Sequence, residues 1–310
     1  VREIVSIEDA INQSRMKTFL LFILMFLISA AFGWAAGYLI GDKTWGITLF
    51  VGFLVYQLVF VIFARPITLA AVGARPLSPE QSLKAQMVHN IVEELSIAAG
   101  VPKPEVGIIE SDVPNAFATG LSPKSGIVVV TRGIVDLMDR DELAGVLAHE
   151  LSHIRHRDIV VGTIAAVLAM SLMLAVRLLM RLTFWGALGG RRSRDREDRN
   201  PLGMILAILV VILAPLAAMM VRFAISRERE YMADAGSAMI TRNPEALASA
   251  LEKLKMYHEY SQQRLDVPEE FSHMFIFDPL FGVSSILSGL FATHPPVDER
   301  IKRLRSMTAL

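Results

Sequence analysis

Residues 144–170 read AGVLAHELSHIRHRDIVVGTIAAVLAM, and two patterns meet inside them. In the first part Leu143, Val146 and Leu147 share one face of a helix. That helix opens at Asp139, where Asp139 and Glu142 stand at capping-box spacing. On it His149 and His153 are four residues apart, so both imidazoles leave the same face one turn apart and can grip one cation. Glu150 sits beside them, where a carboxylate reaches a water on that ion. This is the H-E-x-x-H pattern. From Ile159 onward charged residues vanish for about the length of a bilayer-crossing helix. A metal-binding helix that runs straight into an apolar one sets the class. The fold is mainly α with a small β-sheet, with α-helical membrane anchors carrying an α+β metal-binding part.

The whole composition agrees. Hydrophobic residues are 53% and charged residues 20% of the 310, a more apolar balance than a water-soluble domain carries. The apolar residues concentrate in four runs, residues 19–40, 45–64, 159–184 and 202–225. Each is about 18–25 residues, too long for a buried core helix and close to the ~20 that cross a bilayer. The first run exceeds the apolar stretch of a signal peptide, and the second follows after four residues, so the pair reads as a membrane hairpin. Lys and Arg number 31 and Asp and Glu 31, a net charge of zero. No basic excess is present to neutralise phosphates, and nucleic acid is excluded as a partner. Cysteine is absent, which removes disulfides, thiolate metal sites and Cys nucleophiles.

Four units follow. Residues 1–64 are an N-terminal membrane hairpin. Residues 65–158 are a mixed α/β part with short strands and the H-E-x-x-H helix. Residues 159–225 are a second hairpin, and residues 226–310 a C-terminal helical part. An even number of crossings returns residues 65–158 and 226–310 to one side. Most basic residues near the membrane lie there, which puts that side in the cytoplasm. The arginine cluster Arg191, Arg192, Arg194, Arg196 and Arg199 opposes this locally, and a hairpin that dips without crossing stays open.

Within the polar parts, Ser78 and Pro79 read as a helix start and Gly100 as its stop. Strands are expected at Val106–Ile109, Asn115–Thr119 and Ile127–Thr131. One further helix runs from Asn243-Pro244 to about Tyr260. The stretch from Phe271 to Ala292 reads as a lid or packing segment. A last helix after His294-Pro295-Pro296 carries Asp298, Arg300, Ile301 and Leu304. His89, His258 and His273 read as surface or satisfied histidines, and Phe117 as either core or the wall of a groove.

A catalytic zinc site takes three protein ligands and leaves one position open. His156 lies about 10.5 Å along the helix axis from His149, too far to complete a compact tetrahedron. The best third ligand is Glu230, in Ser226–Asp234 (SREREYMAD). Glu230 and Asp234 are again four apart. Glu230 offers a carboxylate to the metal, and Asp234 one to the free ring N–H of a ligating His. Taken alone this stretch reads rather as a solvated charged face with local Arg–Glu pairs. The shared membrane side favours the site. Arg227 is expected to brace Glu230 or another acid.

VPNAFATG at 113–120, HELSH, an intervening membrane hairpin, SREREYMAD and THPPVDERI at 293–301 together resemble the HtpX-type membrane zinc metalloproteases, relatives of the prenyl-protein endopeptidases. The resemblance covers essentially the whole chain and shows no departure in the metal motifs. It implies a zincin-like metalloprotease domain holding one Zn²⁺ on His149, His153 and Glu230, with Glu150 as the catalytic base and Asp234 as the acidic partner. It implies that Asn115, Ala116, Phe117, Ala118 and Thr119 form an edge strand that pairs with extended substrate. His294 is a candidate donor to the developing oxyanion. The expected partners are the lipid bilayer and polypeptides, membrane proteins among them. The expected setting is quality control at a bacterial inner membrane, with the catalytic part facing the cytoplasm. Two other readings stay open, a protease specific for a modified protein terminus and a non-catalytic zinc-binding membrane scaffold.

Overall fold

In the computed structural model, residues 7–189, 215–217, 219–221, 226–261, 263–277, 279 and 295–307 are described. Helices α1 (Ile7–Ile40) and α2 (Lys43–Ile62) form the N-terminal hairpin. Asp42 caps α2 by accepting from the Thr44 amide at 2.8 Å, which fixes the tight reversal. Phe19, Trp34 and Ile47 are 61%, 74% and 65% exposed. Such a surface is costly in water and suited to lipid. A third long apolar helix, α7 (Asp158–Gly189), differs from the other two. Its Val161, Leu168 and Leu172 are buried together with Leu21 and Met25 of α1. The segments Glu8–Ala35, Lys43–Ile62 and Asp158–Leu178 are long and apolar enough to cross a membrane. Of the fourth run, Ala217, Met220 and Val221 pack into the same cluster as α7. The rest of that run and the arginine cluster lie outside the described residues.

Between the membrane helices lies the polar half. Short helices α3 (Ala64–Ala71) and α5 (Arg132–Leu137) flank a four-stranded sheet and the helix α4 (Leu83–Ala99). The strands are β1 (Arg75–Pro76), β2 (Glu105–Ile109), β3 (Ala116–Thr119) and β4 (Ile127–Thr131), in the order β1-β2-β4-β3. β4 runs parallel to β2 and antiparallel to β3, with Ala116 opposite Val130 and Thr119 opposite Ile127. β3 is therefore at an edge of the sheet, as the family resemblance implied.

One boundary differs from expectation. Ser78 makes no capping bond, and Pro79–Gln81 is a single 3₁₀ turn. α4 starts at Leu83, where Ser82 accepts from the Ala85 amide at 3.0 Å. The reason is β1. The Leu77 amide still pairs with Val106 O at 3.0 Å, so the chain is extended at Ser78 and cannot yet enter a helix. Gly100 closes α4 at φ +67°, the left-handed position where glycine avoids a Cβ clash.

The central helix is α6 (Arg140–Arg155). Its capping box is complete: Asp139 accepts from the Glu142 amide at 2.9 Å, and Glu142 from the Asp139 amide at 3.0 Å. Glu142 also accepts from Ser249 and Lys253 at 2.6 Å each, which ties α6 to α9 (Pro244–Tyr260). Leu143, Val146, Leu147 and Leu151 of α6 sit in one core with Val128 and Val130 of β4 and Leu247 and Leu251 of α9. Two further helices are α8 (Arg227–Thr241) and α10 (Val297–Met307).

Candidate metal centre and active site

α6 is closely approached by two helices because two glycines let their backbones in. A Cβ at Gly145 would lie 2.8 Å from the Leu247 amide nitrogen, and one at Gly236 of α8 would overlap the Ser152 hydroxyl. With α8 seated that close, Glu230 faces the histidines of α6. The Nε2 atoms of His149 and His153 are 3.2 Å apart. Glu230 Oε1 lies 3.5 Å from His153 Nε2, and Glu230 Oε2 3.9 Å from His149 Nε2. Ligands about 2.05 Å from a tetrahedral Zn²⁺ are separated by ~3.3 Å. The three donors therefore fit a zinc ion with one coordination position left open, the pattern of catalytic rather than structural sites. Among the described residues they are the group that could hold a metal.

Each imidazole is turned by a carboxylate on its other nitrogen. Asp234 Oδ1 lies 3.0 Å from His149 Nδ1, and Asp158 Oδ2 lies 3.3 Å from His153 Nδ1. Such partners set the tautomer and leave Nε2 free to coordinate. Burial holds the His149 imidazole down at about 4, so it is neutral at pH 7. Burial also lowers His153, but the hydrogen bond to Asp158 and the charge of Glu230 outweigh it and raise the ring to about 9. That local negative field favours any cation seated between the rings. Burial pushes the Glu150 carboxyl up to about 7, against the lowering charge of His153. A carboxyl poised near neutrality beside a metal site is suited to moving protons.

The site has a cationic brace that the sequence reading did not assign. Arg300 of α10 is 1% exposed. It grips Asp234 bidentately, Nη2 to Oδ1 at 2.7 Å and Nε to Oδ2 at 2.9 Å, and lies 3.8 Å from Glu230. Burial alone would raise the Asp234 carboxyl, but Arg300 and His149 hold it below the usual range. Arg227, expected to brace an acid, is instead exposed. Helical phase explains the correction, since Arg229, two residues on, is the one turned inward and lies 3.0 Å from Asp158. His294 lies outside the described residues. His258 is part-buried and stacks on Phe277. His273 is buried and lines the same cleft as His149, Glu150 and Glu230.

The expected substrate strand is present and its open side is in use. Residues 115, 117 and 119 pair towards β4, which leaves Ala116 and Ala118 facing outward. Ala116 O accepts from the Ile276 amide at 2.9 Å, and Phe117 bridges Phe275 in antiparallel sense. Asn115 clamps the same segment, donating to Phe277 O at 2.8 Å. This edge of β3 is thus already paired by residues 275–277 rather than bare. Phe117 is core, fully buried with its ring 4.7 Å from that of Phe275.

Known proteins resemble this chain over most of its length. Residues 82–308 match the family model described as peptidase family M48. A protein named Protease HtpX homolog from Caldanaerobacter subterraneus subsp. tengcongensis is 44% identical over 299 residues, covering 94% of this chain and 95% of that one. Another of that name from Pyrococcus furiosus is 44% identical over 276 residues, covering 87% and 89%. Among solved structures, the crystal structure of S. mikatae Ste24p aligns with a TM-score of 0.46 at 22% identity, over 94% of this chain and 64% of that one.

Proposed function

The chain belongs to peptidase family M48, and from that premise we propose that it is a membrane-integral, zinc-dependent endopeptidase that cleaves unfolded or misfolded polypeptides in protein quality control. Membrane proteins are among its substrates, and the catalytic part faces the cytoplasm from an inner membrane. Residues 1–64 and 159–225 anchor it, and residues 65–158 and 226–310 together build the site. The convergence of His149, His153 and Glu230 on one point, with Glu150 beside them, carries this reading. Zinc held by those three supplies a Lewis acid that acidifies water towards pKa ~7 and polarises a carbonyl. Glu150 is the group that takes a proton from the attacking water and returns it to the leaving nitrogen. Asp234 keeps His149 in register.

Chelation is the direct test. Stripping the detergent-solubilised chain of metal should abolish cleavage of an unfolded protein such as casein, and one equivalent of Zn²⁺ should restore it. Tight zinc binding with no cleavage of casein or of a membrane-protein substrate would favour a scaffold instead.

Main-chain pairing along β3 would read extended shape more than sequence, which suits unfolded substrates. The absence of cysteine allows this to be tested by locking the edge. Phe117 and Phe275 are non-hydrogen-bonded bridge partners, a pairing whose Cβ separation admits a disulfide. The double variant Phe117→Cys, Phe275→Cys should lose at least ~tenfold in cleavage when oxidised and recover on reduction. Equal activity in both states would show that substrate lies elsewhere.

A further inference from the structure

The two histidines on α6 are held by matching arrangements. His149 meets Asp234, which meets Arg300. His153 meets Asp158, which meets Arg229 at 3.0 Å. The second of these required a special backbone. Five residues along a continuous helix, at ~100° each, would leave Asp158 about 140° around from His153 and unable to face it. The chain breaks between them. α6 ends at Arg155, Arg157 takes φ +61°, and α7 starts afresh at Asp158. A left-handed conformation at a residue with a Cβ persists where the surroundings demand it. Here it folds the Asp158 carboxylate back against the His153 ring.

Asp158 is 9% exposed and both its oxygens are engaged. Oδ2 faces His153. Oδ1 faces Arg229 and also lies 3.0 Å from the Ser14 hydroxyl. Ser14 is on α1, 144 positions earlier, and is buried. Its hydroxyl has three acceptors in reach, Ala10 O, His156 O and Asp158 Oδ1, of which the charged carboxylate is the strongest. All three come from α1 itself or from the α6–α7 break.

Resting on the reading of His149, His153 and Glu230 as the metal ligands, we propose that Asp158 is the positioning residue of the second histidine ligand, and that Ser14 makes the N-terminal membrane helix part of its cradle. The first hairpin is then more than an anchor, because the docking of α1 bears on how firmly the site holds its metal. The competing account is that Asp158 and Arg229 only pin α7 to α8.

The experiment uses the full chain in detergent, with zinc alone as probe and affinity measured by competition with a chromophoric chelator. Asp158→Ala should bind zinc 10–100-fold more weakly than the unaltered chain, as loss of such a partner does elsewhere. Asp158→Glu should recover part of that loss. Ser14→Ala should weaken binding about two- to tenfold, the scale of one hydrogen bond. Should the alanine variant misfold, the near-isosteric Asp158→Asn carries the test through the visible spectrum of the Co²⁺-substituted protein, which should shift because the His153 ring is reoriented. An unaltered chain that binds no zinc overturns the metal site itself. An unaltered chain that binds one equivalent, with Asp158 variants matching it in affinity and Co²⁺ spectrum, leaves the metal site standing and overturns this proposal alone.

Discussion

Glu150→Gln is expected to lower kcat/KM for an unfolded protein substrate by on the order of 10²–10⁴-fold while zinc content stays at one equivalent, because the change removes a proton acceptor and little else. The side chain keeps its size and one side-chain oxygen. Neither ring nitrogen that faces Glu230 is touched. Glu150 is 1% exposed, and burial lifts its carboxyl to about 7. The sign of the pH dependence follows. A base must be deprotonated, so activity falls as pH drops through the folded pKa, and a nearby dication moves that pKa down. The ascending limb of kcat/KM against pH should therefore sit at or below about 7. Zinc-loaded Glu150→Gln protein retaining more than about a tenth of the original rate would remove Glu150 from the chemistry.

How much of this site is visible in the chain depends on where each residue's evidence lies. The pair His149 and His153 is legible because helical spacing is local: positions four apart share a face whatever surrounds them. Glu230 and Asp234 have the same spacing, but it took the shared membrane side and the family resemblance to join them to that pair. The capping box at Asp139 and the helix from Pro244 are legible for the same reason. Arg300 and Asp158 were not assigned, because their partners lie far away or across a break. Arg300 nonetheless leaves a trace. It stands on the apolar stripe of Val297, Ile301 and Leu304, and an arginine on a buried stripe needs an acid inside. Asp158 heads an apolar run, where a carboxylate also reads as a simple match to the helix dipole. Only the left-handed turn at Arg157 reveals its other use. The pairing of residues 275–277 with β3 joins segments about 160 residues apart, and no local pattern encodes it. Ser78 shows the opposite failure. Its cap signal was real in type, but the β1 pairing at Leu77 overrode it.

Arg300→Met should be the most damaging substitution outside the metal ligands. The side chain is 1% exposed and ties its own helix to two other segments. It chelates Asp234 of α8, accompanies Glu230 at 3.8 Å and donates to Ile276 O at 3.2 Å on the segment that covers β3. Methionine fills most of the volume but supplies no charge. Asp234 is then left ionised in the interior with only His149 for company, and breaking one side of a buried pair costs about 3–5 kcal/mol. For a chain of this size that corresponds to a drop of roughly 10 °C in the apparent Tm. Lysine should rescue poorly, since it cannot reproduce the two-pronged contact. Lys84→Ala is the control. It breaks the Lys84–Asp136 pair, whose side chains are 60% and 50% exposed, and should cost under about 1 kcal/mol because solvent screens such pairs. The double variant Arg300→Met, Asp234→Asn should regain part of the lost stability, since the stranded charge goes with the cation. It should still bind zinc poorly, because His149 keeps only a weaker acceptor. Equal Tm values for Arg300→Met and Lys84→Ala, measured side by side in the same detergent, would mean that the interior of the site is wetter than its burial implies and that Arg300 does not hold Asp234 in place.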